Sequence, residues 1–171
     1  MVYLDVGCGN HKHKGTYIGV DKYPGEDVDI VCDIEHNRLP LEDNIVDGVY
    51  SRHFFEHVDD FNYVLKEIYR VCKDGAIVEI IVPHFTRPPY EWHKRHYRYN
   101  CFIDYEVNTD SMLGIPKLFR CLERRLEFSG YGYIRAWLFN KIPYFYEYSF
   151  LRNCFPCSQI YIKFKVIKGM I

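Results

Sequence analysis

The sequence is short of several things, and each shortage narrows its function. No apolar run approaches the ~18 residues that a membrane-spanning helix needs. There is almost no net charge: 22 Lys and Arg against 23 Asp and Glu leave a formal −1. No global field then draws in nucleic acid or an anionic membrane, although a local basic patch stays open. The cysteines number 7, an odd count at irregular spacings. With no signal-peptide pattern at the N-terminus, reduced thiols in a cytoplasmic protein are the expectation. Cys154-Phe-Pro-Cys157 has metal-type spacing, but no second pair completes a zinc set. Internal repeats and linker-like stretches are missing as well. Apolar residues are plentiful, at 48% of the 171 residues, and aromatics reach 18% with 16 Tyr and 12 Phe. That composition is far from disorder. The length suits one domain over 1–171, able to bury about 70% of its unfolded surface.

The first twenty-one residues carry the densest signal. Leu4-Asp5-Val6-Gly7-Cys8-Gly9-Asn10 reads as a buried strand running into a glycine turn. Ile18-Gly19-Val20-Asp21 reads as a second strand with an acid at its tip. Glycines let a backbone approach a ligand closely, and a carboxylate at the end of the next strand accepts hydrogen bonds from ribose hydroxyls. The chain therefore reads as beginning with a nucleoside site. The third glycine of G-x-G-x-x-G is missing, since Asn10, His11 and Lys12 follow Gly9. The polar link Asn10–Gly15 is also too short for a full crossover helix, since a βαβ crossover takes at least about 10–12 residues. Both absences disfavour a nicotinamide dinucleotide.

Further strands are expected over Val28–Cys32, Ile45–Ser51 and Ala76–Val82, the last a nearly continuous apolar run stopped by Pro83. Phe61, Val64, Leu65, Ile68 and Cys72 have helical spacing, with Asp59 or Asp60 to cap the helix and Gly75 past its end. From His84 to Asn100 the sequence is rich in Pro, His, Arg and Tyr and has no period. A long irregular stretch after a fifth strand is more often a lid than filler, so 83–121 is read as an acceptor-side insert. Leu122–Phe128 and Ser158–Ile167 read as closing strands, the last antiparallel. Tyr131–Leu151 reads as partly helical and broken by Pro143. A mostly parallel sheet with helices on both faces is the expected architecture.

These motifs resemble the class I S-adenosylmethionine-dependent methyltransferases, in particular the type 11 group. Asp5-Val-Gly-Cys-Gly9 is similar to their glycine motif, Asp21 to their ribose acid and Asp33 to the acid beside adenine. Leu39–Asn44, Asp47 to Glu56-His57-Val58, and Arg70-Val-Cys-Lys-Asp-Gly75 resemble later motifs in the same order. The likeness covers about residues 1–85. It implies a Rossmann-like α/β fold with a seven-stranded sheet, a shortened first helix and S-adenosyl-L-methionine as cofactor. Cofactor contacts then fall on Asp5, Gly7, Gly9, Asp21, Lys22, Asp33, Ile34 and Ser51. The implied activity is methyl transfer to a small-molecule, sugar or lipid-precursor acceptor. A nucleic acid acceptor is disfavoured by the charge balance and by the lack of an Asn/Asp-Pro-Pro-Tyr/Phe motif after strand four. Pro88-Pro89-Tyr90 lies after strand five and lacks the leading residue.

If the acceptor needs a base, the histidines near the strand ends are the candidates, because imidazole titrates near neutral pH. His84 is the first choice, followed by His53 and His96. Glu56-His57 is expected to pack rather than react. Three histidines near one loop, His84, His93 and His96, suggest zinc only weakly, and no metal is assigned. Lys94, Arg95 and Arg98 are either contacts for an anionic substrate or a solvated face. The runner-up is a non-catalytic binding module of methyltransferase ancestry, motivated by the shortened first turn.

Overall fold

A computed structural model describes residues 1–88, 90–107, 117–130 and 132–169. Seven strands form one sheet in the order β3-β2-β1-β4-β5-β7-β6. They are β1 Tyr3–Val6, β2 Tyr17–Asp21, β3 Ile30–Val31, β4 Val46–Arg52, β5 Cys72–Pro83, β6 Phe119–Glu127 and β7 Gln159–Val166. All neighbours pair in parallel except at β7, which runs antiparallel to both β5 and β6. The expected antiparallel last strand is thus present.

Helix α1, Phe61–Val71, joins β4 to β5. The Asp60 side chain caps it by accepting from the Tyr63 amide at 3.0 Å. Its apolar stripe, Val64, Leu65, Ile68 and Val71, is fully buried. The expected gap between this helix and the fifth strand is absent. Cys72 turns directly into extended backbone (ψ 144°), and β5 begins there. Gly75 takes φ +79°, a left-handed value suited to glycine. There the register with β4 shifts, from Val46 opposite Cys72 to Gly48 opposite Ile77. Helices α2 Tyr133–Phe139, α3 Pro143–Tyr148 and α4 Leu151–Cys154 follow β6. Pro143 starts α3 rather than merely breaking a helix, as its fixed φ favours the first helical turn.

The expected α/β sheet with a shortened first connection is present. The chain steps one way from β1 through β2 to β3 and the other way from β4 to β5. Right-handed crossovers therefore place these connections on opposite faces of the sheet. α1 covers one face. Among the described residues, neither the β1–β2 nor the β2–β3 connection contains a helix. The helix-covered face is apolar, with Leu4, Val6, Val49, Val78, Ile80, Ile162 and Phe164 all buried in the core. In-register neighbours on the other face include Asp5 beside Tyr50, Tyr50 beside Glu79, and Glu79 beside Lys163. Part of the polar link that replaces the first helix lies over it. The His13 amide donates to Asp5 Oδ2 at 2.6 Å, and the His13 ring stacks on Tyr50 at 4.1 Å.

Candidate functional site

The C-terminal ends of β1, β2, β3 and β4 converge on a cavity of about 460 Å³, within the size range of small-molecule sites. Gly7, Val20, Asp21, Lys22, Cys32, Asp33 and Ile34 line it from the sheet side. His53, Phe54, His57, Trp92 and Lys94 line it from the segment after β4 and from the insert. A second cavity lies against Asp5, Gly7, Cys8, Tyr50, Arg52 and His53. Gly7 and His53 line both.

The glycine turn is locked from three sides. Gly7 and Gly9 take φ +76° and +53°, left-handed values that penalise any other residue. A Cβ on Gly7 would come 2.4 Å from Phe54 Cδ2, so the Phe54 ring is seated where a side chain would be. The Gly9 amide donates to Asp21 Oδ2 at 3.0 Å, and the Tyr23 amide donates to Oδ1 at 3.0 Å. Those two bonds aim the carboxylate while leaving lone pairs for a ligand, because an ionised carboxylate offers about four acceptor sites. Asp33 accepts from the Glu35 amide at 3.2 Å and keeps a partly exposed side chain.

Asp5 is buried, and burial pushes its carboxyl up against the lowering effect of the His13 amide. Burial, then the charges of Asp5 and Asp21, push the neighbouring Cys8 thiol up to about 11. A protonated thiol is a poor nucleophile.

Ser51 is fully buried and donates to the Val6 carbonyl at 2.9 Å, tying β4 to β1; it lines neither cavity. Gly9 shapes the turn but lines neither cavity. His96 is exposed and also outside both. His84 is buried, and both of its ring nitrogens are occupied. Nε2 meets Glu147 Oε1 at 2.9 Å and Nδ1 meets Thr86 Oγ1 at 2.8 Å. It faces α3, not a cavity.

His53 is the histidine that both cavities share. It sits at φ +53°, a strained value for a non-glycine residue. Nδ1 lies 3.2 Å from Glu56 Oε1 and Nε2 lies 3.1 Å from Gln159 Oε1. The Gln159 amide nitrogen donates to Glu127 Oε2 at 2.6 Å, which turns its oxygen toward His53. Both imidazole nitrogens of His53 are thus engaged by side chains from other elements of the site. No local motif announced Gln159 and Glu127, because they arrive from β7 and β6.

The insert is tied down over the site. The Lys94 amide donates to the Glu56 carbonyl at 2.8 Å, and the Lys94 ammonium pairs with Asp59. Arg95 donates to the carbonyls of Val58 and Asp59. Arg98 lies over the rings of Phe85 and Tyr148. These cations bind the protein to itself. Cys154 and Cys157 are both free thiols, and Cys157 contacts the Glu127 and Gln159 carbonyls.

Residues 4–80 match the model of a family described as a methyltransferase domain. No curated protein matches the sequence. Solved structures share the fold at low identity. A Mesorhizobium loti S-adenosylmethionine-dependent methyltransferase is 12% identical over 96% of this chain and 90% of its own, with a TM-score of 0.59. An Archaeoglobus fulgidus methyltransferase is 20% identical over 95% and 85%, with a TM-score of 0.58. A Haemonchus contortus phosphoethanolamine N-methyltransferase solved with S-adenosyl-L-methionine is 14% identical over 98% of this chain but 48% of its own, with a TM-score of 0.56.

Proposed function

From a chain with the methyltransferase domain in residues 4–80 and the class I methyltransferase sheet around it, we propose that it binds S-adenosyl-L-methionine and transfers its methyl group to a small-molecule acceptor. The observation that carries this reading is the fixed pair of carboxylates, Asp21 and Asp33, on one cavity beside Gly7. Asp21 holds the ribose hydroxyls and Asp33 the adenine amino group. Val20, Cys32 and Ile34 supply apolar walls for the base, and Gly7 leaves room for the methionine part. Asp5, in the adjoining cavity, receives the cofactor's ammonium directly or through water. The bound cofactor supplies an already activated methyl group, so the protein's work is alignment.

The acceptor-side insert read over 83–121 lies partly outside the described residues and runs into β6; in this reading its described residues Trp92 and Lys94 form the acceptor side, since they line the same cavity. His53 takes the place of His84 as the titratable group beside the reacting region, because it lines both cavities while His84 is sealed against Glu147. It serves as a base in the neutral form, with the Nε2 lone pair taking the acceptor's proton once Gln159 yields its position. The Haemonchus enzyme's amine acceptor is one chemical type to test; a sugar or lipid-precursor hydroxyl is another.

Calorimetric titration of S-adenosyl-L-methionine into the wild type and Asp21→Ala tests the reading. Binding to the wild type, weakened at least about tenfold in the variant, is the expected result, since hydrogen bonds to a charged group contribute about 1.5–3 kcal/mol. An acceptor screen then compares wild type with His53→Asn. A loss in kcat of about 10²–10⁴ with an unchanged cofactor affinity is expected of a base. No cofactor binding to the wild type overturns the assignment. Binding without turnover on any acceptor favours the non-catalytic module.

A further inference from the structure

Glu56 is 1% exposed, and one of its carboxylate oxygens has no partner. Oε1 meets His53, but Oε2 is buried with no hydrogen bond. Such an orphan costs about 1–3 kcal/mol, more for a charged group, and calls for a ligand. The same carboxylate brings an oxygen within 4.8 Å of an imidazole nitrogen of His57 and one of His93, which also lie within 4.8 Å of each other. The expectation of no metal weighed the lone Cys154–Cys157 pair and the histidines His84, His93 and His96. The structure instead gathers a donor set from two segments: Glu56 and His57 from the turn after β4, and His93 from the insert.

We propose that Glu56, His57 and His93 bind one divalent transition-metal cation, for which zinc has the best-matched chemistry. Two imidazoles and one carboxylate are a three-ligand zinc set that keeps a fourth position open. The atoms need only modest side-chain rotation to close around an ion, since zinc ligands sit about 2.0–2.2 Å from the metal. Supporting groups are in place. His53 holds Glu56 from behind, and His57 Nδ1 lies 3.4 Å from the Trp92 carbonyl. Contacts of this kind orient metal ligands and fix imidazole tautomers. His57 also lines the main cavity, so the open position is within reach of a ligand there. The ion would clamp the insert, through His93, onto the turn that carries Glu56. The inference stands apart from the cofactor reading and needs no methyl donor.

The test uses the full chain, stripped with a chelator and without S-adenosyl-L-methionine. Zinc affinity is measured by competition with a chromophoric chelator, stoichiometry by elemental analysis and ligand type by cobalt absorption. One equivalent per chain is expected, with a four-coordinate cobalt spectrum lacking a thiolate charge-transfer band. His93→Ala, on a half-buried loop position, should weaken binding about tenfold or more, while Cys154→Ser should leave it unchanged. Circular dichroism checks that His93→Ala is folded. Glu56→Gln is the second arm, as it keeps the shape of the buried side chain and removes its charge. Overturning results are no stoichiometric metal on the wild type, a thiolate band, or wild-type affinity retained in both His93→Ala and Glu56→Gln.

Discussion

Single residues carry more than their local chemistry where two demands meet. Glu67 lies on the buried stripe of α1, an unusual place for a carboxylate. Its Oε1 accepts from the Leu39 amide at 2.7 Å and from Arg70 at 2.6 Å, and its Oε2 from Arg70 Nε at 2.9 Å. Arg70 in turn holds the Leu39 and Leu41 carbonyls and Asp43. One helical residue thus anchors the irregular stretch that leads into β4. Burial alone would raise the Glu67 carboxyl, but the Arg70 guanidinium and the Leu39 amide outweigh it, and the net shift is downward. A carboxyl lowered in the folded state stabilises the fold above its unfolded pKa, and that contribution fades as pH falls through the folded value. Glu67→Gln should therefore cost about 2–3 kcal/mol at pH 7, and the gap to wild type should narrow as pH drops below the ordinary glutamate range. Urea denaturation at a series of pH values measures this. A gap that stays constant with pH would mean that the charge is not what holds the loop.

At the scale of elements, the boundary between scaffold and site runs along β5. Its end delivers His84 to α3, where the fully buried Glu147 accepts from His84 Nε2 and, at 2.5 Å, from the Tyr99 amide. Glu147 therefore pins α3, the insert and β5 together. Glu147→Ala strands a buried imidazole and a buried amide. It should cost about 2–4 kcal/mol, since each polar group left unpaired inside the protein costs about 1–3 kcal/mol, and expose 132–155 to limited proteolysis. Cofactor affinity should stay at the wild-type value, since no residue of α3 lines the main cavity. A parallel loss of cofactor binding would show that α3 supports the site itself. This element also marks where sequence reasoning ran short. The β1 turn, Asp21, Asp33, α1 and β7 were legible because each is a local pattern: a glycine pair, an acid at a strand tip, a helical stripe, an alternation. The partner of His84 is not local. Glu147 returns from beyond β6, so nothing around residue 84 distinguished a sealed histidine from a reactive one. The same holds for Gln159 behind His53, and for His93 opposite Glu56 and His57.

At the scale of the whole molecule, the two faces of the sheet follow different rules. One is covered by α1 and the insert and is built from aliphatic and Phe side chains. The other has no helix in its β1–β2 and β2–β3 connections, and it is finished with Tyr3, Tyr17, Tyr50 and cross-strand charges such as Lys163 with Glu79 at 3.2 Å. Tyrosine and lysine suit such a face because each offers an apolar stem and a polar tip. This explains how the sheet tolerates so short a link after β1. The helix is missing where the residues beneath carry polar tips, and the short link itself covers the buried Asp5. The contrast can be measured on two adjacent residues of β7, which point to opposite faces. Phe164 is fully buried and stacks on Phe119 at 5.3 Å. Phe164→Ala should cost about 3–5 kcal/mol by leaving a cavity in a packed core. Lys163 contributes a half-exposed ion pair, and Lys163→Ala should cost less than about 1 kcal/mol. Both follow from guanidinium unfolding midpoints at a common slope. If Lys163→Ala instead approaches the cost of Phe164→Ala, the polar face is packed against something, and its account as a finished, solvent-facing surface fails.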